Sequence, residues 1–269
     1  MADSPDADLI AAARSGDREA LELLLERYEP QIYRFGLRMC GDEESAREVL
    51  QETLLAAFRH LPGFRGEAAL STWLYQIARS FCIKERRDVR PTMSIDDAPA
   101  TELVDPAPGT DLRAHAREIG GALSRAITAL PAEQREALVL RDVEGLSAEE
   151  AAQIAGVDVG ALKSRLHRAR MTVRRELAAW LEGGTTEPCP ELARSLTSYA
   201  GAEIDQAACA QIEAHLATCP RCAAGCDALQ RTVSLCKRIP GGVVPASVRS
   251  AVRAAIAKTI GTTWRDHAI

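Results

Sequence analysis

The chain has 269 residues, room for two or three domains, and its 46% hydrophobic and 4% aromatic content with abundant Ala, Leu, Glu and Arg suits helices. A net charge of -5 excludes a protein that coats nucleic acid uniformly but leaves room for local basic surfaces. No apolar run is long enough to span a bilayer and Met1 to Asp6 does not read as a signal peptide, so a cytoplasmic protein is expected, whose eight cysteines serve as thiols or metal ligands rather than disulfides.

Residues 6–87 read as one helical domain. Asp8 to Ala13 and Arg18 to Tyr28 are two amphipathic segments joined at Ser15-Gly16-Asp17, and Pro30 opens a further helix to about Cys40. Gly41-Asp42 breaks the chain before Glu43 to His60, whose stripe is Ala46, Val49, Leu50, Thr53, Leu54 and Phe58. A loop from Leu61 to Glu67, with two glycines and a proline, leads to a helix capped by Ser71 and running to Arg87. Phe64, Trp73 and Tyr75 lie among Arg65, Arg79, Lys84, Arg86 and Arg87, a mixture that suits unstacked bases and a phosphate backbone. The alternative is core packing, favoured for Trp73, Leu74, Ile77 and Ala78. Cys40 and Cys82, in apolar helical settings, read as inert buried thiols.

Residues 88–113 hold four prolines and five acids in the stretch VRPTMSIDDAPATELVDPAPGTDL and read as an extended linker. Residues 114–182 follow as a second helical domain. His115 to Ala129 and Pro131 to Val143 precede Leu146 to Leu177. There Ser147 with Glu150 forms a capping box, Gly156 ends the first helix and Asp158 caps a second. A short helix, a tight turn and a longer helix make a helix-turn-helix, which places its second helix in the DNA major groove. That helix carries Lys163, Arg165, Arg168, Arg170, Arg174 and Arg175. Leu162, Leu166, Ala169 and Val173 form its inner face, leaving Lys163, Ser164, His167 and Arg168 outward, where base edges and phosphates would be met.

After a flexible Gly183-Gly184 joint, residues 187–237 are rich in cysteine, and 238–269 form an amphipathic tail with Val248, Val252, Ala255 and Ile256 inward. HLATCPRC sets His215 and Cys219 four residues apart on one helical face, and Pro220 lets Cys222 join them. Cys189 is the natural fourth ligand. One imidazole and three thiolates make a closed tetrahedral site of structural type, for Zn(II) or, among soft metals, Cd(II) or Cu(I). Cys209, Cys226 and Cys236 exceed that set and are further candidates; Cys222 and Cys226, one turn apart, suit a shared metal or a redox pair. Scattered buried cysteines are the alternative.

Two long stretches resemble a known family. REVLQETLLAAFRHLPGFRGEAALSTWLYQIARSFCIKERR is similar to region 2, and ALSRAITALPAEQREALVLRDVEGLSAEEAAQIAGVDVGALKSRLHRAR to region 4, of the extracytoplasmic-function (ECF) sigma factors of bacterial RNA polymerase. The resemblance implies an all-α protein that binds core RNA polymerase and promoter DNA. Region 2 would melt and read the minus-ten element, and region 4 would read the minus-thirty-five element. It implies that Glu48, Gln51 and Glu52 dock on the polymerase clamp and that the loop from Phe64 to Ala69 captures a flipped base. Lys163, Ser164, Arg165, His167 and Arg168 would contact bases and phosphates. Arg47 departs from the acidic residue usual before Glu48. The linker would thread the polymerase cleft, Asp96, Asp97, Glu102 and Asp105 imitating nucleic acid, or be a passive tether. The stretch TSYAGAEIDQAACAQIEAHLATCPRC resembles zinc-binding anti-sigma domains, here fused to the sigma domains they contact. The surplus cysteines resemble the CorE-like metal-responsive sigma factors. These features imply a sigma factor under metal or thiol-redox control. A helix-turn-helix repressor or activator is the more remote reading, and no glycine-rich phosphate loop or nucleophile–base pair points to an enzyme.

Overall fold

The computed structural model describes residues 6–15, 17–66, 68–88, 110–180, 188–190, 192–239 and 243–260. Among them it is built from helices, with no strand. No helix is long and apolar enough to cross a membrane among these residues. The chain forms two compact units, residues 1–98 with 241–269, and residues 99–240.

In the first unit, α1 (Ala7–Arg14), α2 (Arg18–Cys40), α3 (Glu43–His60) and α4 (Leu70–Asp88) pack around Leu24, Ile32, Phe35, Leu50, Leu54 and Leu74, all nearly inaccessible to solvent. Asp17 caps α2 by accepting a hydrogen bond from the Ala20 amide, and Gly41 (φ 96°) ends it in the left-handed conformation. Asp42 then caps α3 through the Ser45 amide. The sequence placed a helix boundary near Pro30, but α2 runs through it unbroken. Proline in a helix interior costs about 3 kcal/mol. Leu21, Leu24 and Leu25 before it and Ile32, Phe35 and Met39 after it are all buried, and that burial offsets the loss.

α2 and α3 cross closely where Gly36 meets Ala46. A Cβ on Gly36 would lie 3.1 Å from the Ala46 Cα. Phe35 and Tyr75 meet edge to face at 5.3 Å. Cys40 and Cys82, read separately from the sequence, are neighbours, with their sulfurs 3.4 Å apart. The tail helix α12 (Ala246–Ile260) belongs to this unit and packs on α3. Arg249 pairs with buried Glu29 at 3.3 Å, and Arg253 pairs with Glu26. Val252 is buried, and the side chain of Ile256 lies outside the described residues.

The second unit holds α5 (Thr110–Ala129), α6 (Ala132–Leu138), α7 (Ala148–Ala155), α8 (Val159–Glu176), α9 (Ala193–Ala200), α10 (Gln206–Leu216) and α11 (Pro220–Lys237). α4 reaches Asp88 and α5 starts at Thr110, so both ends of the 88–113 linker are helical; Asp96, Asp97, Glu102 and Asp105 lie outside the described residues. The helix expected to run on to Val143 changes at Val139 into a π-turn, Val139–Val143. π-turns often mark functional positions, and this one delivers buried Asp142 toward α8. The cysteine-rich segment, expected as a separate module, shares this unit: α11 and α9 both pack against α8.

The Gly36–Ala46 crossing makes a direct prediction. Gly36→Val should destabilise the first unit by about 1–3 kcal/mol through overpacking. Gly63→Ala, where an added Cβ meets nothing within 4 Å, should leave stability unchanged. Urea titration followed by circular dichroism distinguishes the two.

Candidate DNA reader and metal centre

The reader is assembled by local chemistry. The Glu150 amide donates to Ser147 Oγ (3.1 Å) and the Ser147 amide to Glu150 Oε2 (2.8 Å), a reciprocal capping box at the start of α7. Gly156, at φ 67°, ends α7, and Asp158 caps α8 by accepting from the Ala161 amide at 2.8 Å. Leu162, Leu166, Ala169 and Val173 face the core, none more than 1% exposed. Lys163 and Arg168 are exposed, while Ser164 and Arg165 are half-buried, with Arg165 paired to Glu133 at 3.2 Å.

His167 departs from the expected outward face, and Arg170, one of the cations counted on this helix, is buried. His167 is half-buried, its Nδ1 2.7 Å from Thr197 Oγ1 on α9. Burial lowers its pKa below the usual histidine value, and the charges of Arg194, Arg168 and Arg170 lower it further, which favours the neutral ring at this junction. Arg170 is 1% exposed. Its Nε and Nη2 donate to Asp142 at 2.8 and 2.6 Å; Nη1 donates to the Thr197 carbonyl at 2.9 Å and Nη2 to Glu203 at 2.8 Å. Arg141 also donates to Glu203, at 2.9 Å. Burial works against the Arg170 charge, but the two carboxylates outweigh it and raise its pKa. Arg174 is buried as well, so two of the six cations counted on this helix are not on its surface. No local sequence signal marks this network, because its members are up to 62 residues apart.

In the first unit, Phe64 does not stand out as a base platform. It is 8% exposed, its ring 5.3 Å from that of Trp73. Tyr75 is likewise core. Arg65 and Lys84 are exposed, Arg79 is half-buried, and the side chains of Arg86 and Arg87 lie outside the described residues. Glu52 is exposed and Glu48 and Gln51 are half-buried along α3. Arg47 pairs with Glu44 at 3.2 Å, so its charge is engaged one turn back along the helix.

The metal-ligand set converges. One donor atom each from Cys189, His215, Cys219 and Cys222 lies within 4.8 Å of the others. Cys219 is the N-cap of α11 and Pro220 its first residue, which aims Cys222 back at the end of α10, where His215 sits. The Cys189 amide donates to Cys222 Sγ at 3.3 Å. The Cys222 amide holds the Cys219 thiol down at about 7, while Cys189, whose proton is shared toward Cys222, is pushed up to about 11. His215 Nε2 is buried without a hydrogen-bond partner among the described residues, which leaves that nitrogen available to ligate a metal. Donors around one zinc lie about 2.0–2.3 Å from it, so this set closes on an ion with shifts of about an ångström. The residues therefore fit zinc.

The surplus cysteines do not join them. Cys226 is buried in an apolar cluster with Leu196, Ile212 and Leu229, and burial pushes its thiol up to about 11. Cys236 is buried further along α11. The Cys209 thiol donates to Glu213 at 3.4 Å, away from the ligand set, and burial and then Glu213 raise its pKa.

Comparison with known proteins agrees with this anatomy. Residues 24–92 match the sigma-70 region 2 family, residues 120–173 the sigma-70 region 4 family, and residues 189–223 a zinc-finger family. The chain is 36% identical over 172 residues to the ECF RNA polymerase sigma factor SigM of Mycobacterium tuberculosis, spanning 64% of this chain and 84% of that one. It is 32% identical over 183 residues to the RNA polymerase sigma-H factor of Pseudomonas aeruginosa, spanning 64% and 93%. Among solved structures, CnrH in its complex with the cytosolic domain of CnrY aligns with a TM-score of 0.51 at 24% identity, covering 65% of this chain and 99% of that one, a likeness of fold. Two helical sigma regions in family order, one of them ending in a capped helix-turn-helix, place this chain in the family of ECF RNA polymerase sigma factors.

Proposed function

We propose that this sigma factor directs core RNA polymerase to specific promoters under the control of a metal held in its own C-terminal module. The observation that carries the second half is the convergence of Cys189, His215, Cys219 and Cys222, with His215 Nε2 buried and partnerless among the described residues. Zn(II) suits one imidazole and three thiolates; Cd(II) and Cu(I) are the alternative sensed ions. The bound ion supplies a cross-link between α10, the start of α11 and the segment at Cys189. A ligand set that must converge and lose protons ties metal binding to folding of the module. Because α9 and α11 pack on α8, a change in the module is felt at the reader helix.

On the DNA side, Lys163, Ser164, Arg165 and Arg168 read or anchor the minus-thirty-five element, and Arg65, Arg79, Lys84, Arg86 and Arg87 serve the melted minus-ten strand. Glu48, Gln51 and Glu52 meet the polymerase clamp. The protein catalyses nothing alone and works in the cytoplasm with core polymerase. A redox reading remains as a second switch, because thiolate oxidation would remove ligands.

Metal analysis of the purified chain should find one zinc per molecule. Cys222→Ser should lose it and Cys226→Ser should keep it. In-vitro transcription with core polymerase on promoter fragments selected from genomic DNA should differ between metal-free, metal-loaded and oxidant-treated protein. Equal activity in all three would eliminate both switches. Failure to co-purify with core polymerase would count against the sigma-factor role itself.

A further inference from the structure

The cysteine-rich module is joined to the reader by a built interface. Glu203 and the Thr197 carbonyl complete the hydrogen bonding of a guanidinium that Asp142 already orients. Gly201 lies directly under that guanidinium: a Cβ there would come 2.6 Å from Arg170 Nη1 and Nη2. Met171 of α8 packs against the module's apolar cluster. Separating the two surfaces would break the Glu203 and Thr197 bonds to Arg170 and open an apolar contact, which is costly for a clamp that must lift off.

The same docking leaves the start of α8 open and adds charge beside it. Lys163 and Arg168 are exposed. Arg194 is exposed on the first turn of α9, three residues before Thr197, and therefore on the side of α9 that meets His167. Its charge bears on the His167 ring together with that of Arg168. Neither Arg194 nor Lys163 has an ion-pair partner among the described residues. A recognition helix reads bases with its first turns, and the phosphate strands beside the groove are met by cations at its flanks. Arg194 occupies such a flank.

Resting on the region 4 reading above, we infer that the module is a fixed extension of the promoter reader. Arg194 contributes a contact to the phosphate backbone of duplex DNA beside those of Lys163 and Arg168, so the metal-loaded module supports promoter binding. Loss of metal loosens α9, withdraws Arg194 and Thr197 from α8, and weakens the grip.

The test is fluorescence anisotropy of the full zinc-loaded chain with a labelled random-sequence DNA duplex over a range of salt. Arg194→Ala should weaken binding several-fold and lower the slope of log K against log salt by about 0.9, the share of one phosphate contact. Arg14→Ala, exposed on α1, should change neither. Gly201→Val and Glu203→Gln, with zinc content measured to show the metal site intact, should both weaken binding. If Gly201→Val fails to fold, Glu203→Gln carries the test alone. An unchanged slope for Arg194→Ala overturns the phosphate contact. Unchanged or tighter binding by zinc-loaded Glu203→Gln overturns the extension and makes the module a clamp. A parent chain that binds no duplex at all removes the DNA-reader reading, and this inference with it.

Discussion

The Arg170 guanidinium is the constraint on which the second unit turns. A charge this deeply buried is tolerated only where its donors are met, and here two carboxylates and a carbonyl meet them. Removing one partner of such a group costs about 3–5 kcal/mol, so each partner fixes something else. Asp142 requires the π-turn that interrupts the helix after α6. Glu203 and Thr197 require the α9–α10 connection to lie against α8. Gly201 requires the absence of a side chain. The second arginine, Arg141, brings the group to two positive and two negative charges.

The module could not easily stand without that attachment. Its apolar cluster is five buried residues, two of them cysteines, one of which also belongs to the candidate metal-ligand set. Segments of this size usually need a metal or disulfide to hold a fold. Two devices share the work: the ligand set ties the start of the module to α10 and α11, and α8 supplies a wall on which α9 and α11 close. The candidate ligand set and α8 therefore bear on the same helices, so a change at the ligand set would reach α8 through packing rather than over distance.

Where the physics is local, the sequence discloses it. Helix ends at Asp42, Ser147, Gly156 and Asp158 are set by side chains or φ angles within three residues, and α3 runs from Glu43 to His60 as its stripe predicts. The i, i+4 pair His215 and Cys219, followed by proline, likewise converges because helix geometry demands it. What was not legible depends on distant partners. Pro30 looks like a boundary until α3 and α4 bury the stripe on either side of it. Phe64 looks like an aromatic offered to DNA until Trp73 covers it. His167 has the position of a DNA contact and Arg170 adds to the basic count of the helix, and only residues about thirty positions further on draw them inward. Cys40 and Cys82, 42 residues apart, give no sign in sequence that their sulfurs meet.

The order of pieces along the chain also misleads about what belongs together. Read linearly, sigma regions come first and an added tail follows. The packed molecule divides otherwise: the cysteine-rich module joins the helix-turn-helix, whereas α12, beyond it, joins the region 2 helices. Arg249 is held by Glu29, a carboxylate that burial drives toward protonation and Arg249 draws back toward its charged form. That pairing, with Arg253 on Glu26, gives α12 a specific seat on α2. Each compact unit thus contains one sigma region and one piece of the C-terminal third. A regulator added as an independent domain would need neither a buried arginine for one of its pieces nor a buried glutamate for the other. Both interfaces instead include complementary charges on the sigma side, which is the arrangement expected of parts that fold together.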